Sequence, residues 1–134
     1  MGSDAELIER AFDLLDSDRY ERVLPLIHER FEMVTTREVA SEPDVYRGPE
    51  GVRRWWLSFL DAMDRVHLEA LSFEEVGDSR VIVDFVIHAR GKHSGIEAAQ
   101  PAIAIATAAD GKLLRLEFFT SLELARAAAR PPPG

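Results

Sequence analysis

One stretch limits what this chain can become: Tyr46-Arg47-Gly48-Pro49-Glu50-Gly51-Val52-Arg53-Arg54-Trp55-Trp56-Leu57-Ser58-Phe59-Leu60. Gly48 suits the end of a loop, and Pro49 suits the first turn of a helix, where its missing N–H costs nothing. Val52, Trp55, Trp56, Phe59 and Met63 then recur at helical spacing, with Arg53, Arg54, Ser58, Asp61 and Asp64 on the opposite side. A helix that carries two adjacent tryptophans needs a broad apolar partner. Because everything after Gly77 reads as strands, that partner is expected to be a curved sheet. Trp55 and Trp56 then sit at the seam, either as plain core or as the wall of a ligand site.

The remaining composition suits one domain spanning 1–134, with a core from about residue 6 to 128. Of 134 residues 46% are hydrophobic, enough for a core. A formal charge of −8 leaves no electrostatic footprint for nucleic acid. The absence of cysteine removes disulfides, thiol catalysis and thiolate metal sites. The first residues carry no secretory pattern and no run is long enough to span a membrane, so a cytoplasmic protein is expected. Pro131-Pro132-Pro133-Gly134 reads as a tail.

Along the chain, Asp4 is placed to cap a helix with Leu7, Ile8, Ala11, Phe12 and Leu15 on one face, ended by Asp16-Ser17-Asp18. A short helix from about Arg19 buries Tyr20, Val23, Leu24 and Ile27, with Pro25 limiting its regularity. Phe31 to Thr35 alternates as a strand, and Arg37 to Val45 is loop-like. After the tryptophan helix come strands at His67–Val76, Arg80–Arg90, Ile96–Ala108 and Lys112–Thr120, separated by turns at Gly77-Asp78-Ser79, Gly91 to Gly95 and Ala109-Asp110-Gly111. Ser121 caps a final helix, Leu122–Ala129. Helices, one strand, a helix and a strand meander predict an α+β fold.

That order, with Tyr46-Arg47-Gly48-Pro49-Glu50-Gly51-Val52, the Ser94-Gly95 hairpin and Asp110-Gly111-Lys112-Leu113-Leu114-Arg115-Leu116-Glu117, resembles the SnoaL-like branch of the nuclear transport factor 2-like superfamily from Glu6 to Ala128. The resemblance implies a conical barrel: a curved mixed, mostly antiparallel sheet wrapped around three helices from the N-terminal half, with a short C-terminal helix. It also implies an apolar pocket in the cone and, often, a homodimer. Members include ketosteroid isomerase, polyketide cyclases and epoxide hydrolases, so the fold alone names no reaction.

Strand alternation assigns the faces. A tight turn at Lys92-His93, pairing Gly91 with Ser94, puts Val81, Val83, Phe85 and Ile87 on one face with Ala98, Gln100, Ala102, Ala104 and Ala106. The next turn extends that face to Leu114, Leu116, Phe118 and Thr120. This nearly apolar row is expected inward. Alanines facing tryptophans leave room for a ligand, unless Trp55, Trp56 and Phe85 fill the cone themselves. The expected lining is Phe12, Met33, Thr35, Trp55, Trp56, Phe59, Val83, Phe85, Gln100, Ala102, Ala104, Leu116 and Phe118. The opposite face mixes Asp84, His88 and Glu97 with Ile82, Val86, Ile103, Ile105 and Phe119, as a homodimer interface does. In this register His88 lies opposite Glu97.

The resemblance also allows a chemical test. On the ketosteroid isomerase pattern, its tyrosine and two aspartates fall on Ala11, Thr35 and Ala104, none of them competent for acid–base work. A polyketide cyclase's acid would belong on the inward row, where Leu116 and Phe118 stand. Candidate catalytic groups are therefore His28, His67, Asp84 and His88, each with a structural alternative: a helix-end contact for His28, a rim position for His67, the outer face for Asp84 and His88. The four histidines lack metal-ligand spacing, no phosphate loop or nucleophile elbow occurs, and no cofactor is implied. The leading reading is a binder of a small apolar molecule. An isomerase, cyclase or hydrolase acting on a hydrophobic cyclic substrate and a non-catalytic dimeric interaction domain are the alternatives.

Overall fold

The computed structural model describes residues 3–35, 45–77 and 79–129. The expected loop at 37–45 apart from Val45, Asp78 of the first turn and the proline tail lie outside the described residues. The tryptophan helix forms as Gly48–Leu60 (α2) and ends before Met63, which belongs to a strand. It starts straight out of a three-residue strand, Val45–Arg47 (β2), that the loop-like composition had concealed. At Gly51 any side chain would collide with Tyr46, because a Cβ there would stand 2.7 Å from the Tyr46 carbonyl carbon. Only glycine lets helix and strand approach so closely.

The first helix is Ser3–Asp13 (α1). Asp4 does not cap it; its carboxylate accepts a hydrogen bond from the Ser79 hydroxyl across the sheet end. Asp16 instead stabilises the next turn, accepting from the Asp18 and Arg19 amides at 2.9 and 2.8 Å. Pro25 keeps the following segment, Tyr20–Leu26, a 3-10 helix, and Ile27 already opens strand β1, Ile27–Val34.

The remaining strands are Met63–Gly77 (β3), Arg80–Gly91 (β4), Glu97–Ala109 (β5) and Lys112–Phe119 (β6), followed by helix α3, Leu122–Ala129. Ser121 caps α3 as expected, its hydroxyl accepting from the Leu124 amide at 3.1 Å. The six strands lie in the order β2-β1-β6-β5-β4-β3, antiparallel except that β1 runs parallel to β6. This is the expected α+β architecture with a mixed, mostly antiparallel sheet. The sheet stays open at β2 and β3, a cone and not a closed barrel.

Register explains which face each residue takes. The β4–β5 hairpin pairs Arg90 with Glu97 and closes through Gly91 N–H to Ile96 at 2.9 Å. It is two residues longer than the tight turn expected at Lys92-His93. The even shift preserves the faces but changes the neighbours: His88 stands opposite Ala99, not Glu97. The β5–β6 turn is two residues, with Asp110 and Gly111 both left-handed (φ 54° and 73°), the geometry of a type I′ hairpin. A bulge between Thr107 and Ala108 gives β6 one extra residue, so Leu113 and not Leu114 completes the buried row.

Helices α1 and α2 pack on the inner face, and α3 packs on the outer face. There Ala125 and Ala129 cover Ile82 and Ile105 in a second small core with Val76, Ile103, Phe119 and Leu122 around it. Ile82 and Ile105, expected at a dimer interface, are thus already covered by the chain itself.

Candidate functional site

The inner face is a run of aromatic rings. Tyr20 stacks on Trp56 at 5.3 Å between ring centres, and Trp56 meets Trp55 edge-on at 5.3 Å. Trp55 meets Phe59 edge-on at 4.9 Å and lies parallel to Phe118 at 6.3 Å. Phe118 leads to Phe85 at 5.8 Å, and Phe85 to Phe12 at 5.4 Å. These separations are those of aromatic contact, so the expected lining residues are also one another's packing. The sheet supplies small residues beneath the large ones: Ala102 pairs with Phe85, and Ala104 lies between Val83 and Phe118. Met33, Val83, Leu116 and Thr35 are buried and Phe59 is partly buried. Gln100 departs from the expected lining: it is exposed where β5 runs past the end of β6, and its amide donates to the Pro101 carbonyl at 3.1 Å.

Two atoms in this interior are chemically unfinished. The indole Nε1 groups of Trp55 and Trp56 are shut off from solvent and have no hydrogen-bond partner. The side chains themselves are 1% and 0% exposed. Leaving such a donor unpaired costs on the order of 1–3 kcal/mol each. Among the described residues these are the buried side-chain nitrogens and oxygens without a partner.

The acid–base candidates lie elsewhere. His28 is buried, accepting the Arg30 amide on Nδ1 at 3.0 Å, with Nε2 3.0 Å from the Asp110 carboxylate. A ring that accepts at Nδ1 carries its proton at Nε2, so His28 donates to Asp110 and ties the start of β1 to the β5–β6 turn. Asp84 neighbours the buried Val83 and Phe85 and so points to the outer face, as does His88 between Ile87 and Ala89. His88 Nε2 sits 2.8 Å from Glu69 Oε1, and the His67 ring lies 6.2 Å from the His88 ring, nearly parallel. Among the described residues the buried polar or charged side chains outside the aromatics are His28 and Thr35, so no carboxylate is available inside the cone. Among the same residues no group of three or more His, Cys, Asp or Glu could hold a metal, and no helix is long and apolar enough to cross a membrane.

The outer face holds a feature that the expected site did not include. A groove of about 340 Å³ is lined by Arg65, His67, His88, Ala89, Arg90, Glu97, Ala98 and Ala99. Its sequence signal is a pair of alternating dipeptide steps, Arg65-x-His67 and His88-x-Arg90, that strand pairing brings side by side.

The sequence matches the SnoaL-like domain family over residues 8–116. The chain belongs to this family. Its fold is that of the nuclear transport factor 2-like superfamily. TerC, a protein co-crystallised with polyporic acid, is 18% identical with a TM-score of 0.75, the alignment covering 96% of this chain and 98% of TerC. A nuclear transport factor 2-like protein of unknown function from Burkholderia pseudomallei K96243 is 11% identical with a TM-score of 0.75, covering 98% and 100%. A protein with the ketosteroid isomerase-like fold from Catenulispora acidiphila DSM 44928, in complex with trimethylamine, is 14% identical with a TM-score of 0.66, covering 99% of both chains. At these identities the likeness is one of fold. A search of curated proteins finds no match to this SnoaL-like chain.

Proposed function

We propose that this SnoaL-like chain binds a small, largely apolar molecule bearing hydrogen-bond acceptors, seated between α2 and the sheet against Trp55, Trp56, Phe85, Ala104 and Phe118. The observation that carries this reading is the pair of buried indole N–H groups without acceptors. A site that buries unpaired donors among rings is set up to gain when a carbonyl or similar oxygen arrives. Binding fits the interior better than catalysis does, since no described carboxylate faces it. The fold relative TerC has been crystallised with polyporic acid, which makes that compound a reasonable first probe.

Thermal unfolding with polyporic acid and a set of uncharged cyclic ketones tests the proposal. A ligand at about 100 times its Kd adds on the order of 2.7 kcal/mol of stability, a readily measured rise in Tm. The expected result is a saturable rise in the native protein that shrinks in the Trp55→Phe and Trp56→Phe variants. No rise with any member of the set, or an equal rise in both variants, would remove the indoles from the binding role. We further propose that two copies associate through the outer sheet face beside α3, around Val86 and the partly buried Ile103 and Phe119.

A further inference from the structure

The outer face of β3 and β4 carries two consecutive cross-strand pairs of nitrogen bases. Arg65 stands opposite Arg90, and His67 opposite His88. Their sequence neighbours Val66, Leu68, Ile87 and Ala89 point to the core, so all four share the outer face. Like charges placed directly across a strand pair are unfavourable, and Arg65 with Arg90 is such a pair. Carboxylates answer only the β4 members. Asp64, the extra residue of a bulge, holds Arg90 through two contacts at 2.9 and 3.2 Å, and Glu69 holds His88 at 2.8 Å. Arg65 and His67 have no such partner among the described residues. Both border the groove of about 340 Å³, whose opposite wall is the β5 stretch Glu97, Ala98 and Ala99.

We infer that this groove is a binding site for a small organic anion, its carboxylate or phosphate group held by the Arg65 guanidinium and the His67 ring. A guanidinium presents paired donors that match either group, and an imidazole at i+2 on the same strand face adds a third donor. The groove lies outside the cone, so the site is independent of the apolar-ligand reading. The charged and titratable groups around His67 are Arg65 and Glu69 on β3, His88 and Arg90 on β4, and Glu97 on β5. Asp64 in the bulge and Asp16, whose backbone bridges to His67, complete the set. Two guanidiniums thus stand among four carboxylates, of which Asp64 is engaged by Arg90, Glu69 by His88 and Asp16 by Arg19.

The test follows histidine ring resonances by NMR while inorganic phosphate and benzoate are titrated separately at fixed ionic strength. The expected result is a saturable shift of His67 and His88, with His28 and His93 unmoved. The Arg65→Gln variant, altered at a partnerless side chain, is expected to weaken binding about tenfold. Arg22→Gln, an equal charge change elsewhere, leaves binding unchanged. The His67→Gln variant is expected to weaken benzoate binding in the same direction. Saturable binding of phosphate alone or benzoate alone supports the site and identifies the anion class. Shifts that grow linearly without saturation, or equal binding by Arg65→Gln, would overturn it.

Discussion

Trp55→Phe offers a quantitative test of the unpaired indoles. The substitution keeps an aromatic ring beside Phe59 at 4.9 Å and Phe118 at 6.3 Å, and it removes the N–H that has no acceptor. Indole exceeds phenyl by about three heavy atoms, of which about two are carbon, a loss of roughly 1.6 kcal/mol of transfer free energy. A residual cavity of about 40 Å³ adds roughly 1 kcal/mol. Against this, loss of the buried donor returns on the order of 1–3 kcal/mol. The terms largely cancel, and the ligand-free variant is expected to lie within about 1.6 kcal/mol of the native protein. Phe85→Ala provides the scale: at 0% exposure between Phe12 and Phe118, it should cost about 3–5 kcal/mol. Urea unfolding followed by far-UV circular dichroism measures both, with the slope checked for equality before midpoints are compared. A loss above about 2.5 kcal/mol in Trp55→Phe would refute the reasoning, because it would mean that the indole N–H already has a partner in solution.

His28→Ala removes the link between β1 and the β5–β6 turn and leaves the Arg30 amide without its acceptor; a loss of about 1–3 kcal/mol is expected, with faster amide exchange at residues 112–115 as the local readout. Burial raises the Asp16 pKa, but its bonds to the Arg19 side chain and to the Asp18 and Arg19 amides outweigh that and leave it below 3.8. Its stabilisation is therefore present above pH 3.8 and lost as pH falls through the lower folded value, so Asp16→Asn should destabilise at pH 7 and converge on the native protein as acid unfolding is carried through that lower value. Ile103→Asp with Phe119→Asp should halve the mass seen by analytical ultracentrifugation if the outer face beside α3 joins two copies, and a native protein that sediments as a monomer would end that reading.

Much of this fold is readable from local chemistry. The i, i+3, i+4 placement of Val52, Trp55 and Trp56 predicts the buried face of α2, and the alternation of Val81, Val83, Phe85 and Ile87 predicts the inward row. That row survives a hairpin two residues longer than expected because an even shift leaves side-chain parity alone. Non-local features are less readable. Nothing around Leu114 announces the bulge that buries Leu113 in its place, and three residues at Val45–Arg47 are too few to show an alternating pattern. Helix α3 is short and alanine-rich, so its cover over Ile82 and Ile105 depends on where the chain carries it. The site divides in the same way. The aromatic interior is legible as apolar periodicity, whereas the missing acceptors for Trp55 and Trp56 and the meeting of Arg65 with Arg90 arise only when distant segments are assembled.

The parallel pairing of β1 with β6 sets the order in which this molecule can be completed. Ile27 finds Leu113, and Met33 finds Leu116, so the first strand of the sheet waits for the last one to be made. Loop closure over such a separation is slow although its added thermodynamic cost grows only logarithmically with length. The β3–β4–β5 meander consists of neighbours in sequence and can assemble early. Until β6 arrives, Phe85 lacks Phe118 and Trp55 lacks its parallel ring, leaving greasy aromatic surface open to other chains. The seam between β1 and β6 is thus expected to close late in folding, with that aromatic surface exposed until it does.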